Sequence, residues 1–325
     1  MRAIRSRVAL IFGVLALACA TAPSMADSYP SSSIRLVVGF PPGGINDIVA
    51  RVVGERLSAK LGQSVVVENR AGAGGTIGAN FVAKAKPDGY TLLLGSVSNL
   101  AMAPGQHAEL PFSPTRDFAP ISLVAAAPNV LVVNPSFKVK TVKDIIDKAR
   151  SEPGKIMYAS AGEGTSNHLT GVLLASLAGI KLVHVPYKGD SPGLADVVAG
   201  RVPMMFPTIP VAAPFIKSGQ VKAIAVSSAH PTALLPGVPT VEQAGGPKGF
   251  DVNVWVGILA PRGTPRNVVG KIDGALKEIL ADPDMRKRLQ RLGVESTYMD
   301  SKDFAEYLQQ ETTRWSELAK LARQS

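Results

Sequence analysis

The chain has 325 residues, a formal net charge of +10 and 46% hydrophobic residues. Lysines and arginines are spread among acidic residues and form no basic stripe, which argues against a nucleic-acid-binding protein. About 300 residues follow the N-terminal segment described below. That length exceeds a typical single domain, so we expect two lobes.

The N-terminus has the pattern of a Sec-type signal peptide. Three arginines within residues 2–7 precede an apolar run at 8–18, which is about half as long as a membrane-spanning helix. Ser24 and Ala26 supply the small residues of a cleavage site. We therefore predict cleavage after Ala26 and export to the periplasm.

The single cysteine, Cys19, lies inside this predicted signal peptide. An uncleaved anchor and a lipoprotein attached through Cys19 are the two alternatives to cleavage after Ala26. If Cys19 leaves with the peptide, the mature chain has no cysteine for a disulfide, a thiol nucleophile or a metal ligand.

Apolar runs of strand length alternate with helical periodicity in the first third of the chain. Residues 34–40 predict a buried strand, and the spacing of apolar residues over 45–61, stopped by Gly62, predicts a helix. The elements that follow are a strand at 65–68, a glycine-rich loop at 71–75, a helix to about Ala85, a turn at 87–89 and a strand at 90–95. This βαβαβ order predicts a parallel sheet with helices on its faces.

The alternation restarts at residues 129–133 and predicts a second lobe. Its elements are a helix from Thr141 with Asp144 as capping partner, strand 155–160, helix 166–178, strand 181–185, helix 192–199, strand 203–206, helix 209–217 and strand 221–227. The last predicted elements are strand 252–260 and helices 267–281, 283–292 and 301–322.

We assign these last elements to the first lobe, because a chain that crosses twice between lobes forms the paired hinge of a clamshell protein. The predicted fold is α/β and two-lobed, and each lobe is a mostly parallel sheet flanked by helices. The expected divisions are a signal peptide at 1–26, the first lobe at 27–127 and 250–325, and the second lobe at 128–249.

Two strand-to-helix junctions have the composition of anion-binding sites. Residues 40–47 read FPPGGIND, and residues 161–168 read AGEGTSNH. Free N–H groups and the positive end of the helix dipole face a crevice at the carboxyl edge of an open α/β sheet. Each predicted lobe therefore offers one helix N-terminus to a bound carboxylate.

Structural roles compete with ligand contact at several of these positions. Asp47 stabilises a helix dipole from the first turn as readily as it contacts a ligand. Thr165 and Ser166 either cap their helix or donate hydroxyls to an oxyanion. His168 points at the cleft or is a packing residue within the first turn of its helix, and Trp255 lines the cleft or, as we expect, packs in the core.

The motifs taken together resemble the extracytoplasmic receptors of tripartite tricarboxylate transporters, also called the Bug family. The resemblance covers essentially the whole chain. It rests on five motifs in order, which are FPPGGINDIVARVV, VENRAGAGGTIGANFVAKAKPDGYTLLLGS, GEGTSNHLTGVLLASLAGIKLVHVPYKG, PGVPTVEQAG and WVGILAPRGTP.

The resemblance implies a type II periplasmic binding-protein fold that holds a ligand carboxylate in these same loops. It points to Gly43, Gly44, Asp47, Ser96, Ser98, Thr165, Ser166, His168, Tyr187 and Gly189 as ligand contacts. Gly164 belongs to the same second-lobe junction. We expect no metal and no cofactor, because the histidines at 107, 168, 184 and 230 lack ligand spacing.

Departures from the family pattern affect the far end of the predicted pocket. Ile45 and Asn46 stand where the family often has Ser or Thr, and Asn46 joins the predicted ligand contacts. Pro207 replaces a residue that is commonly acidic or an amide, and Thr208 is expected to supply the polar contact there. Lys188 pairs with a second ligand carboxylate or is a solvated charge.

The sequence favours a receptor that closes on a small carboxylate and delivers it to membrane subunits of a tripartite tricarboxylate-type transporter. We expect a monomer and no enzymatic activity. A secreted hydrolase is the rival, but no Gly-x-Ser-x-Gly elbow or HExxH motif is present. A receptor that reports to a membrane sensor is the other alternative, and the sequence does not identify the carboxylate.

Overall fold

The computed structural model describes residues 29–106 and 109–322. The predicted signal peptide, its cleavage site, Cys19 and His107 lie outside the described residues. The described residues from Ser32 onward form one compact unit. Within it, the described strands form one six-stranded and one five-stranded sheet, both flanked by helices.

The secondary structure follows the predicted alternation closely. The strands are β1 Ile34–Val38, β2 Val65–Asn69, β3 Thr91–Ser96, β4 Phe118–Pro128, β5 Val130–Val133, β6 Met157–Ser160, β7 Val183–Pro186, β8 Met204–Met205, β9 Lys222–Val226, β10 Asn253–Pro261 and β11 Glu295–Met299. The helices are α1 Ile45–Leu61, α2 Thr76–Ala83, α3 Ala103–Gln106, α4 Val142–Ser151, α5 Ser166–Ala178, α6 Asp190–Val198, α7 Ile209–Lys217, α8 Arg266–Ala281, α9 Pro283–Arg291 and α10 Ser301–Ala322.

The first sheet has the strand order β11-β4-β10-β3-β1-β2. β1 pairs in parallel with both β2 and β3, as the predicted βαβαβ unit requires. β10 lies antiparallel between β3 and β4, and β11 closes the edge antiparallel to β4. The returning segment therefore completes the first sheet.

The second sheet has the order β7-β6-β8-β5-β9. β6 is parallel to β7 and β8, whereas β5 is antiparallel to β8 and β9. The α/β class with two helix-flanked sheets is confirmed. Most strands of each sheet run in the same direction. The exceptions are β10 and β11 in the first sheet and β5 in the second, and β5 and β10 are the first strands that the chain forms after it passes from one sheet to the other.

The two segments by which the chain passes between the sheets are hydrogen-bonded to each other at Ser227. β4 runs into β5 through Asn129, whose N–H donates to Ser227 Oγ at 2.8 Å. The Ser227 N–H donates back to the Asn129 carbonyl at 2.9 Å, and the Val252 N–H donates to the Ser227 carbonyl at 2.8 Å. The outgoing and returning chains thus form one hydrogen-bonded crossing between the sheets.

The sequence prediction omits several elements. They include β4, β11, a π-helix, Val97–Met102, and α3, which directly continues the π-helix. Alanines and prolines give β4 low strand propensity, so its conformation depends on pairing with β10. The π-helix begins at the carboxyl end of β3, where such irregular turns often accompany function.

Trp255 belongs to the core, as the sequence favoured. It is fully buried and makes edge-to-face contacts with Phe304 and Tyr307 of α10. Its indole N–H donates at 3.0 Å to Glu311 Oε2, which also accepts the Trp315 indole N–H at 2.9 Å. The buried carboxylate satisfies both indoles and holds α10 against the first sheet.

No helix among residues 29–106 and 109–322 combines the length and hydrophobicity required to cross a bilayer.

Candidate functional site

The loop after β1 is organised by Asp47. Its Oδ2 accepts the Gly43 N–H and Arg51 Nε, each at 3.0 Å, and its Oδ1 accepts Asn69 Nδ2 at 3.0 Å and pairs with Arg51 Nη2 at 2.9 Å. Burial alone would raise the pKa of Asp47, but the bonds from Arg51, Gly43 and Asn69 outweigh it and hold the pKa below its usual range. Asp47 therefore braces the loop.

Gly44 caps α1 and differs from its neighbour Gly43. The N–H groups in the first turn of an α-helix have no partner within the helix, and here no side chain caps them. A Cβ on Gly44 would meet nothing within 4 Å, and its φ of −85° suits any residue. Gly43 has φ +89°, which favours glycine. Gly44 thus borders open space, and Gly43 is needed for the turn.

The end of β3 contributes Ser96 and Ser98. The Ser96 N–H donates to Asn99 Oδ1 at 2.8 Å and its hydroxyl donates to the same oxygen at 3.3 Å, which starts the π-helix. Asn99 Nδ2 reaches the Gly75 carbonyl at 3.4 Å. Ser96 is therefore buried in a cap. Ser98 is half-buried one residue into the π-helix and keeps its hydroxyl free of the bonds that hold this loop.

The loop after β6 is closed by its own side chains. Thr165 Oγ1 donates to the Gly162 carbonyl at 2.7 Å and accepts the His168 N–H at 3.5 Å, so it caps α5. His168 Nδ1 accepts the Gly164 N–H at 3.0 Å. Because the Thr165 proton is engaged inside the loop, its role in this geometry is the cap and not donation to an oxyanion.

His168 is stacked on His184, with ring centroids 3.9 Å apart and planes 20° apart. His184 Nε2 lies 2.6 Å from Ser160 Oγ. Burial, reinforced by the charge of neighbouring His184, lowers the pKa of His168 to about 4. The ring is neutral at neutral pH, which its acceptor role toward Gly164 also requires, so it offers no positive charge to an anion.

The loop after β7 lies against the loop after β6. The Tyr187 N–H donates to the Ser160 carbonyl at 3.1 Å, and the Gly189 N–H donates to the Ala161 carbonyl at 3.0 Å. The Tyr187 hydroxyl donates to Asp196 Oδ2 at 2.6 Å. Burial and this bond raise the pKa of Tyr187 to about 12. Tyr187 and Gly189 are thus held in place, with their donors engaged by the second lobe itself.

Thr208 bonds to a carboxylate that the sequence prediction omitted. Its hydroxyl donates to Asp190 Oδ2 at 2.6 Å, and its N–H donates to the same oxygen at 3.2 Å. Burial raises the pKa of Asp190, although hydrogen bonds from Thr208 and Asn167 act in the opposite direction. Thr208 positions Asp190 instead of presenting its own hydroxyl.

Gln106 connects the loops of the two sheets. This last residue of α3 donates from Nε2 to the Gly164 carbonyl at 2.7 Å. A Cβ on Gly164 would lie 2.0 Å from Gln106 Oε1, and Gly164 has φ +75°. The segment that begins at Ser96 therefore ends against the second predicted junction, which joins the two loop clusters across the cleft.

The internal hydrogen bonds divide the predicted ligand residues into three sets. In the first set a donor is already used inside the fold, and its members are Gly43, Ser96, Gly164, Thr165, Tyr187, Gly189 and Thr208. Asp47 and His168 are acceptors that brace loops. Gly44, Asn46, Ser98 and Ser166 keep groups that no bond described above uses. Sequence patterns located the loops but did not separate these three sets.

Several site-forming residues were missed from the sequence. Asn69, Gln106, Asn129, Asn167, His184 and Asp190 all make or border the bonds described above. Asp190 would have been the easiest of them to find from the sequence, because it directly follows Gly189 in the motif YKGD.

Lys188 is exposed, in agreement with a solvated charge. No grouping of metal-binding side chains occurs in the described part of the chain.

Two surface crevices lie away from these loops. One, of about 310 Å³, is lined by Ile48, Arg51, Val52, Arg288, Arg291 and Leu292. Another, of about 410 Å³, lies beside β1, β2 and β3 and includes Arg35 and Glu68. Neither of these two crevices is lined by a predicted ligand contact.

The profile of the family described as "Tripartite tricarboxylate transporter family receptor" matches residues 49–322. A UPF0065 protein of the tcbD-tcbE intergenic region of Pseudomonas sp. is 41% identical over 94% of this chain and 91% of its own length. Protein BugT of Bordetella pertussis is 33% identical over 96% of each chain.

Solved structures show the same architecture at 90% coverage of this chain. A Rhodopseudomonas palustris protein with adipate has a TM-score of 0.83 at 33% identity and is covered over 98% of its length. The periplasmic binding protein BugD gives 0.79 at 37% identity and 98% coverage. MatC of Rhodopseudomonas palustris, with bound malate, gives 0.80 at 33% identity and 100% coverage. The chain belongs to the tripartite tricarboxylate transporter receptor family, the Bug-type periplasmic solute-binding proteins.

Proposed function

We propose that this protein is a periplasmic receptor that closes two lobes around a small carboxylate. The observation that carries the proposal is the N-terminus of α1 at Gly44, which no side chain caps and which borders open space. An uncapped helix N-terminus attracts a carboxylate through its N–H groups and dipole.

The N-terminus of α5 supplies the opposing half of the proposed clamp. Ser166, its first residue, is buried, and its carbonyl accepts the Thr170 hydroxyl at 2.6 Å. The Ser166 hydroxyl makes no hydrogen bond within the described part of the chain. In this proposal it donates to the ligand together with the first N–H groups of α5. Relatives solved with adipate and with malate support a carboxylate ligand.

The lobes in this proposal are residues 27–127 with 250–325, and residues 128–249. The hydrogen-bonded crossing at Asn129, Ser227 and Val252 would act as the hinge. Closure would then form the Gln106 to Gly164 contact, and the closed form would present a surface for membrane subunits of a tripartite tricarboxylate-type transporter.

The proposal also includes export by cleavage after Ala26 and a monomeric state. It requires no catalytic group.

The test is calorimetric binding of organic acids to the mature chain and to the variant Gly44→Val. The valine side chain would occupy space next to the N-terminus of α1, where a Cβ meets no other atom within 4 Å. We expect at least one di- or tricarboxylate to bind the wild type and the variant to bind it at least tenfold more weakly. Gly270→Val is the matched control, because Gly270 is exposed in α8 and also borders open space.

Denaturant unfolding of each variant separates a blocked cleft from a damaged fold. The proposal is contradicted if only neutral solutes bind, or if Gly44→Val binds carboxylates as tightly as the wild type. Co-purification with the membrane subunits, in the presence and absence of the bound acid, tests the transporter partnership separately.

A further inference from the structure

The starting observation is a small set of buried polar atoms that lack partners. Among the described residues, the buried side-chain polar atoms without a hydrogen bond are Asn46 Oδ1, Arg56 Nε, Asn80 Oδ1, Asn129 Oδ1 and Asp190 Oδ1. Buried polar atoms are almost always hydrogen-bonded, so each exception calls for a reason. Asn46 is the second residue of α1, and Asn129 and Asp190 both adjoin Thr208.

Asp190 lies where three helices of the second lobe begin. It is the first residue of α6, and it accepts two bonds from Thr208, the N-cap of α7. The Asn167 amide, in the first turn of α5, lies beside it. These helices follow β6, β7 and β8, so the Asp190 carboxyl lies at the carboxyl edge of the second sheet, near the first turn of α5.

The hydrogen bonds around Asp190 determine what its free oxygen meets. The Thr208 N–H can only donate, so Oδ2 is fixed as the acceptor and Oδ1 is left without a partner. Thr208 donates to Asp190 and the Asn167 amide lies beside it, and no ion pair within the described part of the chain involves Asp190. A buried carboxylate without a counter-charge is costly unless a donor completes it.

Asn129 has the same orientation constraint. Its Nδ2 donates at 3.1 Å to Thr170 Oγ1, and the Thr170 hydroxyl donates at 2.6 Å to the Ser166 carbonyl. Because the only proton of the Thr170 hydroxyl is already engaged, the Asn129 amide must donate to it. Asn129 Oδ1 is therefore an acceptor, and its backbone bridges to Thr208.

We propose that Asp190 and Asn129 form an acceptor subsite for a hydroxyl or ammonium group carried by the carboxylate ligand. This inference rests on the proposed function and narrows its ligand class to hydroxy acids and amino acids. The carboxylate is held at the helix N-termini, and the second group of the ligand donates to Asp190 Oδ1 and Asn129 Oδ1.

The variant Asp190→Asn would replace the acceptor of the proposed subsite by a hydrogen-bond donor. The Thr208 N–H and hydroxyl require an acceptor, so the amide oxygen takes the place of Oδ2 and the NH₂ group takes the place of Oδ1. An acceptor for the ligand becomes a donor without a change in side-chain volume. Asp147→Asn is the matched control, because Asp147 is a solvent-exposed carboxylate on α4 in the same lobe.

The experiment measures affinities of the mature chain for acids that differ in one group. The probes are succinate, malate and aspartate, then glutarate, 2-hydroxyglutarate and glutamate, and then benzoate and 4-hydroxybenzoate. We expect one donor-bearing member to bind roughly tenfold to a hundredfold more tightly than its donor-free parent. Comparison of the hydroxy acid with the amino acid distinguishes hydroxyl from ammonium as the donor.

Asp190→Asn should abolish that preference, and Asp147→Asn should retain it. Equal or tighter binding of the donor-free parents to the wild type would overturn the subsite while leaving the carboxylate receptor intact. A preference that survives in Asp190→Asn would overturn it as well. If no acid of the panel binds, the proposed function fails and the subsite fails with it.

Discussion

The rings of His168 and His184 are stacked 3.9 Å apart at the second-lobe junction, and His168 Nδ1 accepts the Gly164 N–H. This acceptor is lost on protonation, because an imidazolium carries a proton on both nitrogens. Two imidazolium rings at this separation would also repel each other. The Gly164 turn is therefore stable only while His168 is neutral.

The folded protein should lose stability in mild acid through His168. Its pKa in the fold is about 4, below the ordinary value of 6.5, so the unfolded chain binds more protons between these values. The free energy of unfolding therefore falls as the pH decreases from about 6.5 toward 4, and we expect a loss of about 1–2 kcal/mol. Urea unfolding of the mature chain across this pH range measures it.

The variant His168→Asn should flatten this pH dependence, because its Oδ1 can accept the Gly164 N–H but does not titrate. His230→Asn serves as the control, since His230 is exposed. An unchanged acid slope in His168→Asn would show that other groups cause the loss.

Gln106→Ala should weaken ligand binding without unfolding the protein. The side chain bonds to the Gly164 carbonyl, so its loss removes a contact of the proposed closed form. One such hydrogen bond contributes about 0.5–1.5 kcal/mol, and we expect affinity to fall roughly threefold to tenfold. Calorimetry on the acid that binds best measures the change.

Small-angle scattering of the ligand-loaded Gln106→Ala variant should show a more open average shape than the wild type. Gln309→Ala is the matched control, because Gln309 is exposed on α10. Wild-type affinity in Gln106→Ala would rule out a role for this contact in closure.

Asp47→Ala should destabilise the fold, because Gly43, Arg51 and Asn69 would lose a shared acceptor. We expect the free energy of unfolding to fall by about 1–3 kcal/mol at neutral pH. The pKa of Asp47 is lowered in the fold, so its contribution is present above about pH 4 and is lost as the pH falls further. Urea unfolding at neutral and acid pH tests both statements.

Asp303→Ala is the control for this loss, since Asp303 is an exposed carboxylate in the first turn of α10. It should cost only a few tenths of a kcal/mol. Equal losses in the two variants would mean that Asp47 acts only through the helix dipole.

The order of strands and helices could be predicted because it depends on local signals. Thr141 and Asp144 form the predicted capping box, and Gly62 ends α1 with a left-handed φ of 70°. β4 escaped prediction because its conformation depends on pairing with β10, which lies more than a hundred residues later in the chain. A window of local sequence contains no trace of that pairing.

The sequence predicted which loops form the candidate site, but it did not predict the hydrogen bonds within and between those loops. Glycine-rich junctions before helices could be recognised in the sequence, so the positions of Gly44 and Ser166 at helix N-termini could be predicted. Whether a hydroxyl is free or engaged depends on neighbours from other elements, as with Thr208 and Asp190. Asp47 and His168 each had a structural and a ligand-binding explanation, and only the three-dimensional contacts show that both brace loops.

Gly39→Ala should destabilise the first lobe most among the glycine variants considered. A Cβ on Gly39, just after β1, would lie 2.5 Å from the Gly75 carbonyl oxygen and 2.8 Å from its Cα. These are backbone atoms, which cannot move aside as a flexible side chain can. We expect the free energy of unfolding in urea to fall by about 1–3 kcal/mol, because overpacking forces the loops after β1 and β2 apart.

Gly274→Ala should instead stabilise the protein by about 0.5–1 kcal/mol, since Gly274 is exposed in α8 and a Cβ there would meet nothing within 4 Å. The same methyl group thus changes stability in opposite directions, and a Gly39→Ala variant as stable as the wild type would show that the two loops are not in contact.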